Sequence, residues 1–125
     1  MYHLFLVCIG GALGAGMRHL GVQWVGRVLG LSFPWGTLAV NVIGSFAMGL
    51  FIEYLVRRTG APAEVRLFVA TGVLGGFTTF SAFSLDVAVL WERGAAFPVL
   101  GYVLGSVFCA IFALFAGLWL ARSVW

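Results

Sequence analysis

The stretch GGFTTFSAFS, residues 75–84, interrupts a long apolar segment of the chain. It combines two glycines, which lower helix propensity, with two threonines and two serines, which compete for backbone hydrogen bonds. We therefore predict that a helix breaks at about residues 75–79. We also predict that the hydroxyls of Thr78 and Thr79 cap a restarted helix, because threonine is a favourable residue at a helix N-cap.

The whole chain is too apolar for a water-soluble domain. Of its 125 residues 62% are hydrophobic and 9% are charged, whereas soluble domains carry about a quarter charged residues. Four apolar segments each exceed the roughly 20 residues that a helix needs to cross a bilayer. They cover residues 2–29, 35–56, 65–91 and 97–124, with turn-forming connectors that contain Gly60 and Pro62 among others. The sequence predicts one all-α integral membrane domain, residues 1–125, of four transmembrane helices with the third helix broken.

A helix break inside a membrane leaves backbone groups that need partners. Irregular backbone is tolerated there only where it is buried in protein or lines a polar cavity. Broken helices of membrane transporters use freed carbonyl groups to bind Na+, so one interpretation of this break is a site for a monovalent cation. The alternative is a kink that serves helix packing alone.

Three phenylalanines form a stripe in the opening stretch. Phe77, Phe80 and Phe83 recur at every third residue and are interleaved with Thr79 and Ser81. Because the edge of an aromatic ring is electropositive, rings presented edge-on can bind a small anion without a fixed charge. An aromatic stripe is more often part of a hydrophobic core, and its spacing alone does not separate these interpretations.

The first helix carries small residues and an arginine on one face. Gly10, Gly14 and Arg18 follow one another at four-residue spacing, which predicts a close contact with another helix. Arg18, which we place near the end of this helix, has two interpretations. Its charge either reaches the membrane interface or stands at the mouth of an anion path.

The second and fourth helices each carry a row of polar residues. The rows are Thr37, Asn41 and Ser45 in the second helix, and Tyr102 and Ser106 in the fourth, where Gly101 and Gly105 predict a further close-packing face. Hydrogen bonding between helices explains one such residue, whereas several in a line favour a polar track. Asn41 is the most informative member because its amide donates hydrogen bonds to an anion without carrying charge.

Arginine placement gives a weak signal for orientation in the membrane. With a cytoplasmic N-terminus, four arginines lie on the cytoplasmic side and three on the other. These are Arg57, Arg58, Arg66 and Arg122 against Arg18, Arg27 and Arg93. Because cytoplasmic loops normally carry a clear excess of basic residues, this small difference predicts insertion in both orientations. An ordinary single topology is the alternative.

Three segments of the chain resemble the Fluc, or CrcB, family of bacterial fluoride channels. They are GGALGAGMR (10–18), WGTLAVNVIGSFAMG (35–49) and GVLGGFTTFSAFS (72–84). The resemblance covers three of the four helices in motif detail, and the whole chain in length and spacing. It implies a dual-topology, antiparallel homodimer of four-helix subunits, with two fluoride pores and a structural Na+ at the centre.

The resemblance also implies roles for individual residues. The backbone carbonyls of Gly75 and Thr78 would bind the Na+. The fluoride pore would include Arg18, Asn41, Thr79, Phe80, Phe83, Ser81 and Ser106, to which the polar row of the fourth helix adds Tyr102. Two positions depart from the family pattern: Asp86 stands where glutamate is common, and Ala110 stands where some members have a second serine.

A small multidrug exporter is the strongest alternative function. Such exporters are also short four-helix chains that insert both ways, but proton-coupled export of cations needs a carboxylate in the first helix. The charged residues of this helix are Arg18 and Arg27. We do not predict an enzyme, because His3 and His19 lack metal-ligand spacing and no nucleophile–base set is evident.

The resemblance implies passive fluoride export across the bacterial inner membrane. Neutral HF crosses lipid and dissociates in a less acidic cytoplasm, which traps F−. An anion pore then lets the inside-negative potential drive F− outwards, and no nucleotide-binding motif is present to supply energy. We expect the lipid bilayer and a second copy as partners, with a homologous chain as the alternative to self-pairing. We expect no nucleic acid, because the arginines are too scattered.

Overall fold

The computed structural model describes residues 1–57 and 61–125, so Arg58 and Gly60 lie outside the described residues. The first helix is Tyr2–Leu29, the second is Trp35–Arg57 and the fourth is Ala96–Val124. The third spans 63–92 in two halves. All four are long and apolar enough to cross a membrane, and the described residues contain no β-strand. The predicted all-α membrane fold with four spanning helices is confirmed.

The third helix is broken, as predicted, but over a shorter stretch than expected. Its leading half consists of Ala63–Arg66, Leu67–Leu74 and Gly75–Phe77, and its trailing half is Phe80–Glu92. Thr78 (φ −84°, ψ 159°) and Thr79 (φ −154°, ψ 124°) have extended backbones. Gly75 stays helical at φ −63° and ψ −36°, so the expected break at residues 75–79 narrows to the two threonines.

The middle of the leading half is a π-helix, which the sequence did not predict. In Leu67–Leu74 the turns are one residue wider than in an α-helix, and the N–H of Gly75 donates to the carbonyl of Ala70, five residues earlier. π-Helical turns are rare and occur mainly where tertiary contacts or function require them. Here the wide turns pack along the first helix.

Glycines bring the first and third helices into backbone contact. A Cβ atom at Gly10 would lie 3.0 Å from the Cα atom of Gly72, and one at Gly14 would overlap the carbonyl oxygen of Val73. A Cβ atom at Gly76 would likewise meet the backbone of the first helix. The predicted close contact of the Gly10 and Gly14 face is therefore confirmed. The interpretation of the third-helix glycines as the break itself was wrong, because Gly72 and Gly76 are helical and make room for the first helix.

A second glycine contact joins the second and fourth helices, which pack together extensively. A Cβ atom at Gly49 would overlap the carbonyl oxygen of Leu114, and one at Gly117 would overlap that of Phe46. The prediction that Gly101 and Gly105 form a close-packing face was wrong within the single chain. Among the described residues, nothing lies within 4 Å of a Cβ atom built at either position.

Ion pairs tie the helix ends together on one side of the bundle. The buried carboxylate of Glu53 accepts a hydrogen bond from the Nε atom of Arg57 at 2.9 Å and forms an ion pair with the Nε atom of Arg122 at 3.1 Å. His3 and Glu64 lie 3.5 Å apart and link the starts of the first and third helices. A buried carboxylate needs such partners, because an unpaired charge in the low-dielectric interior is strongly destabilising.

Candidate ion-binding groove

A groove of about 380 Å³ runs beside the break, between the second, third and fourth helices. Its lining combines polar groups near the break with apolar side chains of the fourth helix. Five of the residues predicted for the pore line it: Asn41, Thr79, Phe80, Phe83 and Ser106. Ser45, Thr78 and Ala110 line it as well. Three separate helices thus bring predicted pore residues to one place.

Asn41 completes the hydrogen bonding of the broken backbone. Its Nδ2 atom donates to the carbonyl oxygen of Thr79 at 2.9 Å, and its Oδ1 atom accepts from the N–H of Thr79 at 2.7 Å. Because the N–H of Thr79 can only donate, the orientation of the amide follows from this pair. One N–H of the Asn41 amide remains for another acceptor. The sequence did not predict that Asn41 binds the backbone at the break, because Asn41 and Thr79 are far apart in the chain.

Thr79 caps the restarted helix, and Thr78 does not. The Oγ1 atom of Thr79 accepts from the N–H of Ala82 at 3.1 Å and lies 3.2 Å from the Oγ atom of Ser81. The hydroxyl of Thr78 donates backwards, to the carbonyl oxygen of Leu74 at 3.1 Å. The capping prediction is therefore confirmed for Thr79 and was wrong for Thr78, whose hydroxyl closes the preceding turn.

The phenylalanine stripe is divided by the break. Phe80 and Phe83 line the groove, with ring centroids 5.4 Å apart and planes tilted by 47°. Phe77 lies before the break and packs against Gly44 of the second helix. The expectation of one continuous three-ring stripe was wrong, because the extended backbone of Thr78 and Thr79 ends the helical spacing. Phe80 is 77% exposed, whereas Phe83 is buried.

The hydroxyl of Ser106 is the one buried side-chain group of the described residues without a hydrogen-bond partner. The residue is only 6% exposed and lies in the lining of the groove, on the helix that faces the break. Buried hydroxyls almost always have partners, because an unsatisfied donor loses its hydration without compensation. An orphaned donor of this kind favours a ligand that accepts a hydrogen bond inside the groove.

Tyr102 lies outside the lining of the groove and connects it with a second cavity. Its ring packs against Phe83 at a centroid distance of 5.2 Å, and its hydroxyl donates to the Oδ2 atom of Asp86 at 2.9 Å. Asp86 lines a cavity of about 210 Å³, together with Thr37 and Arg93. The polar rows of the second and fourth helices therefore extend from the groove towards this cavity.

Arg18 supports the break from the first helix. Its Nη1 atom donates to the carbonyl oxygen of Thr78 at 3.2 Å, and the residue is not part of the groove lining. Its placement near the end of the helix was wrong, because the first helix continues to Leu29. With Arg18 inside the bundle, the described residues carry three arginines at one side and two at the other.

The two carbonyls expected to hold Na+ lie in different surroundings. Thr78 presents its carbonyl oxygen to Arg18, while Gly75 is exposed on the outer surface of the leading half. No cluster of three or more His, Cys, Asp or Glu side chains suited to a metal occurs within residues 1–57 and 61–125.

Four apolar spanning helices, one of them broken beside a groove, define a multi-pass membrane protein. Residues 5–118 match the family model described as CrcB-like protein, Camphor Resistance (CrcB), and the chain belongs to this family. It is 69% identical to a protein of Chelativorans sp. (strain BNC1) and 64% identical to one of Mesorhizobium japonicum. A protein of Agrobacterium fabrum is 52% identical. Each comparison covers 99% of both chains.

All three relatives bear the name "Fluoride-specific ion channel FluC". The resemblance found in the three sequence motifs is therefore confirmed over the full chain. The expectation that the chain is not an enzyme is confirmed as well, because these relatives are named as ion channels. The alternative of a multidrug exporter is not favoured.

Proposed function

We propose that this chain is a passive channel selective for fluoride. The observation that carries the proposal is the unpartnered hydroxyl of Ser106, buried in a groove that Phe80 and Phe83 also line. Fluoride is a small, strong hydrogen-bond acceptor and suits such a donor. The names of the relatives from Chelativorans and Mesorhizobium support the same choice of ion.

The groove offers several weak donors in place of the hydration shell. Fluoride loses a large hydration energy on leaving water, so several groups must replace it without binding the ion too tightly. The donors are the hydroxyl of Ser106 and the remaining amide N–H of Asn41, with the ring edges of Phe80 and Phe83 beside them. None of the described arginines lines the groove, so none of them holds the ion there by a fixed positive charge.

We place the continuation of the route along the polar rows of the second and fourth helices. Tyr102 and Thr37 lead from the groove to the cavity that Asp86 lines. Thr79 and Ser81, whose hydroxyls lie 3.2 Å apart, contribute further polar groups beside the break. In the bacterial inner membrane, the inside-negative potential would drive F− outwards along this route.

Fluoride efflux from liposomes tests this function. With a membrane potential as the only driving force, we expect fluoride efflux and far slower chloride efflux. Replacing Ser106 with alanine removes one hydrogen bond to the anion and lowers flux by about tenfold. Ser84→Ala is the matched control, because its exposed hydroxyl donates to the carbonyl oxygen of Phe80 outside the groove lining. A requirement for a proton gradient would contradict a passive channel.

The working unit that we propose is an antiparallel homodimer. In the single chain the groove is open on one side, since Phe80 is 77% exposed, and lipid could not provide polar partners there. Gly101 and Gly105 offer places on the fourth helix where a second backbone can approach closely. The small difference in arginines between the two sides of the described chain leaves the orientation weakly determined.

Labelling of tagged C-termini tests the dual topology. In sealed cells, we expect a membrane-impermeant reagent to reach about half of the tags, because both orientations occur in an antiparallel homodimer. The remaining tags should react only after the membrane is permeabilised. Labelling that is complete from one side would contradict dual topology for this chain on its own.

A structural Na+ at the dimer centre is the last part of the proposal. The carbonyls of Gly75 and Thr78 are of the ligand type that hard cations prefer, and a second copy would double their number. Replacing all Na+ with a large organic cation should lower both the dimer fraction and the fluoride flux. Activity that is undiminished after this exchange would argue against a bound metal.

A further inference from the structure

A third cavity lies at one end of the bundle, away from the ion-binding groove. It occupies about 340 Å³ between the end of the second helix and the start of the third. Ile52, Leu55 and Val56 line one side of this end groove, and Pro62 and Arg66 are among the residues that line the other. Of the described residues in its lining, Arg66 is the one that carries a charge.

Arg66 has no carboxylate partner among the described residues. Glu64 is close in sequence, but side chains two positions apart on a helix point to different faces. Glu64 pairs with His3 at 3.5 Å instead. The guanidinium group of Arg66 is exposed, so it is free to bind an anion beside an apolar groove.

The end of the bundle that contains the end groove carries more positive than negative side chains. Glu53 is shared by Arg57 and Arg122, so one carboxylate faces two guanidinium groups. With Arg66 unpaired, this end of the described chain has more positive than negative side chains. Basic pockets between membrane helices near the headgroup level are typical binding sites for anionic lipids.

We propose that the end groove binds an anionic phospholipid. One acyl chain lies against Ile52, Leu55 and Val56, and the phosphate accepts hydrogen bonds from the guanidinium group of Arg66. The planar guanidinium matches a phosphate in two-point geometry. A zwitterionic lipid binds less well, because its ammonium group is repelled by Arg66. This site is independent of fluoride conduction.

Lipid retention by the purified full-length protein tests the proposal. The protein in non-denaturing detergent is titrated with phosphatidylglycerol or with phosphatidylcholine of the same acyl chains, and bound lipid is counted by native mass spectrometry. We expect preferential retention of phosphatidylglycerol. Arg66→Gln lowers its affinity about fivefold, the effect of one arginine near a charged headgroup. Arg27→Gln is the control. Arg27 lies in the last turn of the first helix, at the opposite end of the bundle, so this substitution leaves the affinity for phosphatidylglycerol unchanged.

A second variant tests whether the lipid occupies the end groove or is only attracted to the positive charge at the surface. Ala63 lines the end groove, and Ala63→Trp fills it while keeping the charge of Arg66. We expect this variant to lose phosphatidylglycerol as well. Equal retention of the two lipids by the parent protein would overturn the proposal. So would unchanged phosphatidylglycerol affinity in Arg66→Gln, or in Ala63→Trp protein that elutes normally. Fluoride flux measured in the same variants keeps this result separate from the channel function.

Discussion

Replacing Phe80 with isoleucine lowers fluoride flux by on the order of tenfold or more, with the protein still folded. Isoleucine keeps much of the apolar volume and removes the electropositive ring edge. Because Phe80 is 77% exposed in the single chain, the substitution leaves the core of the chain intact. Flux from liposomes and elution volume in detergent are the two measurements.

Phe112→Ile is the matched control for this experiment. Phe112 is also 77% exposed, but it lies on the fourth helix outside the lining of the groove. We expect its flux to equal that of the parent. Phe83→Ile should also reduce flux, although Phe83 packs with Leu90 and Tyr102, so part of its effect is lost packing. If Phe80→Ile conducts as well as Phe112→Ile, the ring serves packing and does not meet the ion.

The second large effect is expected at Gly14. In Gly14→Ala the new methyl group would overlap the carbonyl oxygen of Val73, and backbone atoms of the third helix cannot move aside as a flexible side chain can. The first and third helices must separate, which also displaces the hydrogen bond from Arg18 to Thr78. We expect a large loss of folded protein on size-exclusion chromatography and a lower melting temperature in detergent.

Gly16→Ala provides the comparison for Gly14→Ala. A Cβ atom at Gly16 meets nothing within 4 Å among the described residues. Alanine favours a helix interior over glycine by about 1 kcal/mol, so this variant should be neutral or slightly more stable. Equal melting temperatures for the two variants would show that the first and third helices do not make the close contact described above.

The membrane fold was predictable because it rests on properties of short segments. Length and apolar content decide whether a helix can cross a bilayer, whatever its neighbours. The break in the third helix was predictable for a similar reason, since two adjacent threonines weaken a helix locally and threonine is favourable at a helix N-cap. The π-helix in Leu67–Leu74 was not predictable, because its wide turns depend on packing against the first helix.

The candidate site was only partly predictable from the sequence, and the errors in predicting it have a common cause. Asn41 was identified as a polar group of the second helix, but its two bonds to Thr79 join residues 38 positions apart. Arg18 was expected near a helix end, yet it donates to a carbonyl 60 positions away. Phe77 was assigned to the stripe because regular spacing was assumed to continue through the break.

The amino-acid sequence by itself determined that this protein lies in the membrane, how many helices cross it, which helix breaks, and the family to which the chain belongs. These follow from composition, local propensity and motifs. The tertiary structure decided which polar groups find partners. The Ser106 hydroxyl is left without one, whereas the backbone of Thr79 is satisfied by Asn41. The physical reason is that hydrogen bonds require atoms about 3 Å apart, and only the packing of the helices sets those distances.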